Sequence, residues 1–218
     1  FLNIGNTLMI ERIKQYISKE HKIYIAVNKF PDVHKELNVF KNCYFLDVGN
    51  TNGVIDTIKK SIEKISEKFI NIIPITTIPD NNFDTKNAIF FGDKKLSKEN
   101  WSGILYEKDQ SIKFFHKKSN IDFRTKSYPF TGRISSDRIL IEKALTKFKK
   151  EEKEDLIYLA KFLIEDNNFQ IIHEKWYDSG HSTTYFDTKI SSFTSRFFNE
   201  ISYCKKKNSI LKKSNKSK

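Results

Sequence analysis

The sequence predicts an α/β domain built on a mixed central sheet, and three observations carry that expectation. Short β-branched and aromatic runs at 22–27, 43–48, 87–93 and 169–173 alternate with amphipathic stretches of helical spacing, the pattern of sheet strands covered by helices. Two further runs at 101–106 and 111–117 are joined by the polar turn 107–110, so a hairpin adds antiparallel pairing. A Gly-bearing turn at 49–53 joins a strand to a helix start, where free backbone N–H groups and small side chains leave room for a nucleotide.

Length and composition set the outer bounds. A chain of 218 residues fits one domain of ordinary size with a real core, or one domain with a short extension. It holds no apolar run of about 18 residues, so no membrane-spanning helix is expected, and it shows no cleavable secretory signal. Because it begins at Phe1 rather than Met, the native N-terminus is expected to be absent. Cys43 and Cys204 lie too far apart in sequence for a disulfide framework or zinc motif, and a reducing cytoplasm is the expected compartment. The net charge of +12 raises nucleic acid as a partner. However, the lysines are scattered along the chain and are densest only at 205–207 and 212–218, without the interleaved aromatics of a nucleic-acid surface. Solvated surface and a general attraction for phosphate fit that distribution better.

Taken in order, residues 1–4 are apolar, Gly5 and Asn6 suit a turn, and positions 9, 10, 13 and 17 share a helical face that Asn6 or Thr7 can cap. Strand 22–27 is followed by a loop at 28–32 and a short helical or irregular connection at 32–40. After strand 43–48 and the Gly-bearing turn, a helix over 54–68 aligns apolar positions 54, 55, 58, 62 and 65. Within 71–79, Pro74 marks a sheet edge or a strand end. Residues 127–134 read as a loop entering a short strand. Helices over 135–150 and 155–166 turn Leu140, Ile141, Ala144, Leu145 and Phe148, then Leu156, Leu159, Ala160, Leu163 and Ile164, toward the core. The charged stretch 147–154 is a solvated helix end or link. A last helix at 189–200 precedes a lysine-rich segment, read as a disordered tail or the opening of a further domain. One domain is thus expected over 1–203, with a tail or junction over 204–218.

The run Trp176-Tyr177-Asp178-Ser179-Gly180-His181, delivered by strand 169–173, is more specific than burial requires. Trp176 is an apolar anchor, Asp178 a hard oxygen donor of the kind Mg²⁺ accepts beside phosphates, and Gly180 permits a sharp turn close to a ligand. The plain alternative is a Trp-anchored turn with a solvated Asp.

This run resembles the W-x-D-x-G-T segment of sugar-phosphate nucleotidyltransferases, with His181 where Thr is usual. The rest of the chain is similar to the same family in order: 1–10 to the stretch after its first Lys-Pro, 49–53 to the turn that cradles the nucleobase, 101–117 to a strand, turn and strand closing on Glu-Lys, and 127–134 to an x-T-G-[IL]-Y segment. The resemblance implies a Rossmann-like, three-layer, glycosyltransferase-A-like fold, here without its first strand and Gly-rich phosphate loop. It also implies that Asp178 binds the catalytic Mg²⁺, that Lys117 meets a phosphate, and that Thr51 and Gly53 hold the base. Gly103, His116, Thr131 and Gly132 would line the acceptor pocket. Three departures stand out. A second metal carboxylate is expected near Thr76 and Thr77, where none stands. Asp80 from a shifted loop is our candidate, Asp93 after the Gly92 strand is the alternative register, and a single-carboxylate or decayed site is also open. His116 replaces the expected Glu. Arg133 replaces a hydrophobic residue, as a surface cation or a partner for an acidic acceptor.

The implied reaction is attack of a sugar phosphate, or another phosphorylated small molecule, on the α-phosphorus of a nucleoside triphosphate, with pyrophosphate leaving; without the Gly-rich loop, the chain as given is expected to bind nucleotide poorly and to turn over slowly or not at all. The resembling proteins supply capsule and surface-polysaccharide precursors in the cytoplasm, and some are fused to a C-terminal kinase-like domain. Two rival readings are an inactive nucleotidyltransferase-like binding module within a larger protein and a basic nucleic-acid-binding domain.

Overall fold

The computed structural model describes residues 3–4, 7–17, 20–28, 43–79, 85–93, 101–117, 127–148, 155–166 and 169–178. The loop 28–32 beyond Asn28, the connection 32–40, the helix expected at 189–200 and the tail lie outside them. The chain opens with an antiparallel pair, β1 (Asn3–Ile4) and β2 (Thr7–Leu8), and α1 (Met9–Tyr16) with Ile10 and Ile13 buried. Thr7 therefore belongs to a strand rather than to a helix cap. β3 (Ile23–Val27) and β4 (Cys43–Asp47) are parallel and in step from Ile23↔Cys43 to Val27↔Asp47.

α2 (Val54–Ile62) buries Ile55, Ile58 and Ile62, three of the positions its spacing predicts. It stops at Ile62 rather than continuing to 68. Ile65 leaves the helix to pack against Leu46 and Val48, and its carbonyl accepts Arg138 Nη1 at 2.8 Å. Tertiary contacts thus outweigh the helical periodicity of the last turn.

The remaining strands are β5 (Phe69–Ile72), β6 (Thr77–Pro79), β7 (Ala88–Gly92), β8 (Gly103–Tyr106), β9 (Ile112–Phe115), β10 (Ser127–Asp137), β11 (Gln170–Glu174) and β12 (Trp176–Asp178). Five of them form the order β11-β7-β10-β8-β9, and β5 also pairs with β10. β11 is parallel to β7, whereas β10 is antiparallel to β7, β5 and β8. The sheet is mixed, as the sequence predicts. β10 is longer than predicted, because Ser135, Ser136 and Asp137 pair with Asn71, Ile70 and Phe69 instead of opening a helix. The first two are fully buried, and Ser135 Oγ bonds Asn71 Oδ1. Serine is weak inside a helix, and a sheet neighbour supplies a better partner.

α3 (Arg138–Leu145) and α4 (Leu156–Asp166) join α2 over one face of the sheet. Their Ile141, Ala144, Leu145, Leu159 and Leu163 pack with Ile89, Phe91, Ile104 and Ile134 in one core. Among the described residues no helix is long and apolar enough to cross a membrane.

Candidate functional site

β10 is the strand on which the candidate site is assembled, because two strands share one of its edges. Ser127 to Pro129 pair with β8, and Ile134 to Asp137 pair with β5, so the sheet forks between residues 130 and 133. At the fork Gly132 takes φ +81, and a Cβ there would lie 2.4 Å from Pro74 Cγ. Gly103, at the start of β8, has no more room: a Cβ would lie 2.1 Å from the Tyr128 carbonyl oxygen. Both glycines let backbone segments approach each other at the point where β5 and β8 diverge.

Asp178 lies at this fork. The Trp176 run begins as a strand rather than a loop, with β12 antiparallel to β6 and Asp178 directly opposite Thr77. Both are buried, Asp178 with 8% and Thr77 with 2% of its surface exposed. Thr77 Oγ1 donates to the Thr131 carbonyl at 2.9 Å, and Thr131 Oγ1 donates to the Phe90 carbonyl at 3.0 Å. Trp176 anchors the run as its size suggests: its indole lies over Gly92, where a Cβ would fall 1.9 Å from Trp176 Nε1.

That contact also separates the two registers for a second carboxylate. Gly92 serves Trp176, and Asp93 is exposed at the end of β7, its amide donating to the Glu174 carbonyl at 3.0 Å. Thr77 faces Asp178 in its place, and Asp80 lies outside the described residues. Among the described residues no three His, Cys, Asp or Glu side chains gather as a metal cluster. Asp178 therefore offers one hard oxygen ligand, which suits Mg²⁺ where phosphates and water complete the shell.

Arg133 corrects both sequence expectations. It is neither a surface cation nor open to a ligand, but fully buried, with Nη1 2.8 Å from Glu174 Oε2 and its guanidinium 3.8 Å from the Phe90 ring centroid. Burial lowers its pKa from the ordinary arginine value, and Glu174 opposes that shift. Sequence reasoning missed Glu174. The available signal was its alternation with Trp176 and Asp178 along an inward-facing run.

His116 and Lys117 close β9 on the other branch. His116 Nε2 lies 2.8 Å from Asp155 Oδ2 and Nδ1 lies 2.9 Å from the Lys117 carbonyl, while the ring stacks on Tyr158 with centroids 6.1 Å apart. Ser102 Oγ donates to Asp155 at 3.1 Å and accepts the Lys117 amide at 3.1 Å. Asp155 also receives the Ile157 amide and so caps α4. This clip turns His116 toward the helix start and leaves Lys117 exposed at the fork.

The end of β4 packs against the segment that leads into β5, with Leu46 and Val48 meeting Ile65. Lys22 Nζ and the Tyr24 hydroxyl, at the start of β3, contact Glu67 Oε1 at 2.7 and 2.9 Å, just ahead of β5. Gly53 has φ 107, Thr57 Oγ1 donates to Thr51 Oγ1 at 2.9 Å, and the Asn52 amide donates to Asp56 Oδ2 at 3.0 Å. The predicted residues thus fall into three groups: Thr51 with Gly53 at the start of α2, Asp178 with Thr131 and Gly132 at the fork, and Gly103 with His116 and Lys117 on the β8–β9 branch.

Known structures share this architecture. A protein from Bacillus anthracis assigned as a glucose-1-phosphate thymidylyltransferase, in complex with sucrose, matches with TM-score 0.63 at 15% identity, over 87% of this chain and 84% of that one. UDP-glucose pyrophosphorylase complexed with UDP-glucose matches with TM-score 0.61 at 12% identity, over 89% of each chain. The 4-diphosphocytidyl-2C-methyl-D-erythritol synthase of Anaerococcus prevotii matches with TM-score 0.59 at 12% identity, over 88% of each. No protein-family model and no curated sequence relative matches the chain. The chain has the α/β fold of sugar-phosphate nucleotidyltransferases.

Proposed function

We propose that this chain is a nucleotidyltransferase of the pyrophosphorylase type, joining a nucleoside monophosphate from a nucleoside triphosphate to a sugar phosphate or similar phosphorylated acceptor. The observation that carries the reading is Asp178, a carboxylate held buried beside the fork of β10 in a fold shared with nucleotidyltransferases. Thr51 and Gly53 receive the base at the start of α2, where Gly53 is the N-cap and no side chain caps the helix. Lys117 offers an exposed ammonium to the acceptor phosphate, a point charge suited to one oxygen. Asp178 and, from its position after β6, Asp80 are the residues that would hold Mg²⁺. When bound, the ion neutralises charge on the phosphates during displacement. The chain's own part is to orient acceptor and nucleotide in line. The sequence resemblance supports surface-polysaccharide precursors as the product class and a cytoplasmic setting.

Pyrophosphate release from a panel of nucleoside triphosphates and sugar 1-phosphates tests the reading. Asp178→Asn is expected to lower turnover by about a hundredfold or more, the scale seen when one preorganised electrostatic group is removed. Thr77 at the place of a second carboxylate favours one alternative, a non-catalytic nucleotide-binding module. That alternative is preferred if Asp178→Asn leaves magnesium-dependent pyrophosphate release unchanged.

A further inference from the structure

We propose that the buried Arg133–Glu174 pair is a positioning device for the Asp178 carboxylate, locking β11 to β10 across β7 and so fixing how β12 lies against β6. The contacts close a ring. Asp178 faces Thr77, the Thr77 hydroxyl is held by the Thr131 carbonyl at 2.9 Å, and Arg133 follows Thr131 on β10 and grips Glu174 at 2.8 Å. Glu174 leads through Trp176 back to Asp178 on one alternating face, all three side chains buried. Trp176 adds a second fixing point by filling the space over Gly92.

Stability alone does not account for such a pair. Removing two charges from water offsets most of their attraction, and an apolar pair of similar volume often holds a fold equally well. What the ion pair adds is geometry: the planar guanidinium lies 3.8 Å from the Phe90 ring centroid on β7 and reaches Glu174 on β11 at 2.8 Å, which ties β11 to one register against its neighbours. Arg133 and Glu174 are thus positioning residues. Their effect on metal binding rests on the reading of Asp178 as a Mg²⁺ ligand, whereas their effect on β12 does not.

The test compares wild type with the double variant Arg133→Met/Glu174→Leu, which removes both charges of the pair together, and uses Asp178→Asn as reference. Melting temperature, amide hydrogen exchange and titration with Mn²⁺ as the probe are measured on the whole chain. The expected result is a melting temperature at or above that of wild type, amide exchange in β6 and β12 about tenfold faster with β7 and β10 unchanged, and Mn²⁺ affinity about tenfold weaker. Wild-type exchange in β6 and β12 overturns the proposal, as does a large fall in melting temperature with uniform loss of protection, which makes the pair merely structural. Unchanged Mn²⁺ binding in Asp178→Asn overturns the metal reading instead, and the exchange data then decide positioning by themselves.

Discussion

Gly92 and His173 occupy neighbouring strands near the ends that face the fork, and each has a measurable consequence. Gly92 has no space for a methyl group, so Gly92→Ala must push the Trp176 indole off β7. Overpacking of this kind typically destabilises by about 1–3 kcal/mol. In a Trp101→Phe background the Trp176 emission should shift to the red, and unchanged emission and stability would refute the packing assignment. His173 contacts the Tyr128 ring at 4.2 Å between centroids and the Tyr106 hydroxyl at 3.2 Å through Nε2. Burial lowers its pKa from the ordinary 6.5, although the Gly92 backbone and Asp93 pull the other way. A histidine with a depressed folded-state pKa contributes stability above about pH 6.5 that is lost as pH falls toward the folded value, because the unfolded chain binds the proton first. Urea midpoints should therefore drop more between pH 7 and pH 5 in wild type than in His173→Gln, and parallel curves would reject it. Asp178 was legible at this scale because a Trp, a carboxylate and a Gly crowd into a few residues. The Arg133–Glu174 pair was not, because partners 41 positions apart meet only through strand register.

The elements follow the sequence where pattern and packing agree, and depart from it where a neighbour competes. α4 matches its predicted span because its apolar spacing and its Asp155 cap select the same boundary. β10 overruns its predicted end because Asn71 and Ile70 offer Ser135 and Ser136 a ladder that local propensity does not reveal. The hairpin of β8 and β9 is joined to α4 chiefly through Asp155, which holds His116, Ser102 and the Ile157 amide together. Asp155→Ala is expected to destabilise by about 1–2 kcal/mol, the range for losing an N-cap with further partners. His116→Ala should cost less, and the double-mutant cycle should give a coupling of about 0.5–1 kcal/mol, since the pair is only partly buried. A coupling of zero would mean that His116 and Asp155 are neighbours without mutual support. Because His116 is engaged by the helix start, its replacement should also disturb the fold more than acceptor binding, and KM for a sugar phosphate against melting temperature separates the two.

At the scale of the whole molecule, the turn at 49–53 and the carboxylate at 178 lie far apart in sequence, the turn following the parallel pair β3 and β4 and the carboxylate closing β12 where it folds back on β6. No local motif encodes that arrangement; it depends on the order of strand and helix, which the sequence does display. The net charge of +12 adds an attraction for phosphate groups that falls with ionic strength, without requiring a nucleic-acid surface. If the turn and the carboxylate belong to one binding site, a ligand that spans them must stabilise the fold by mass action. At about 100 times its Kd, a nucleoside triphosphate with Mg²⁺ should add about 2.7 kcal/mol, or roughly 5–10 °C in Tm for a domain of this size. Gly53→Val, at φ 107 beside the proposed base site, and Asp178→Asn should each remove most of that increment when tested at the same ligand concentration. The two losses should not add, because either alone breaks the span. Full retention of the shift in Asp178→Asn, with loss in Gly53→Val, would confine nucleotide binding to the turn and detach the carboxylate from it. Additive losses, each about half of the shift, would instead describe two independent sites.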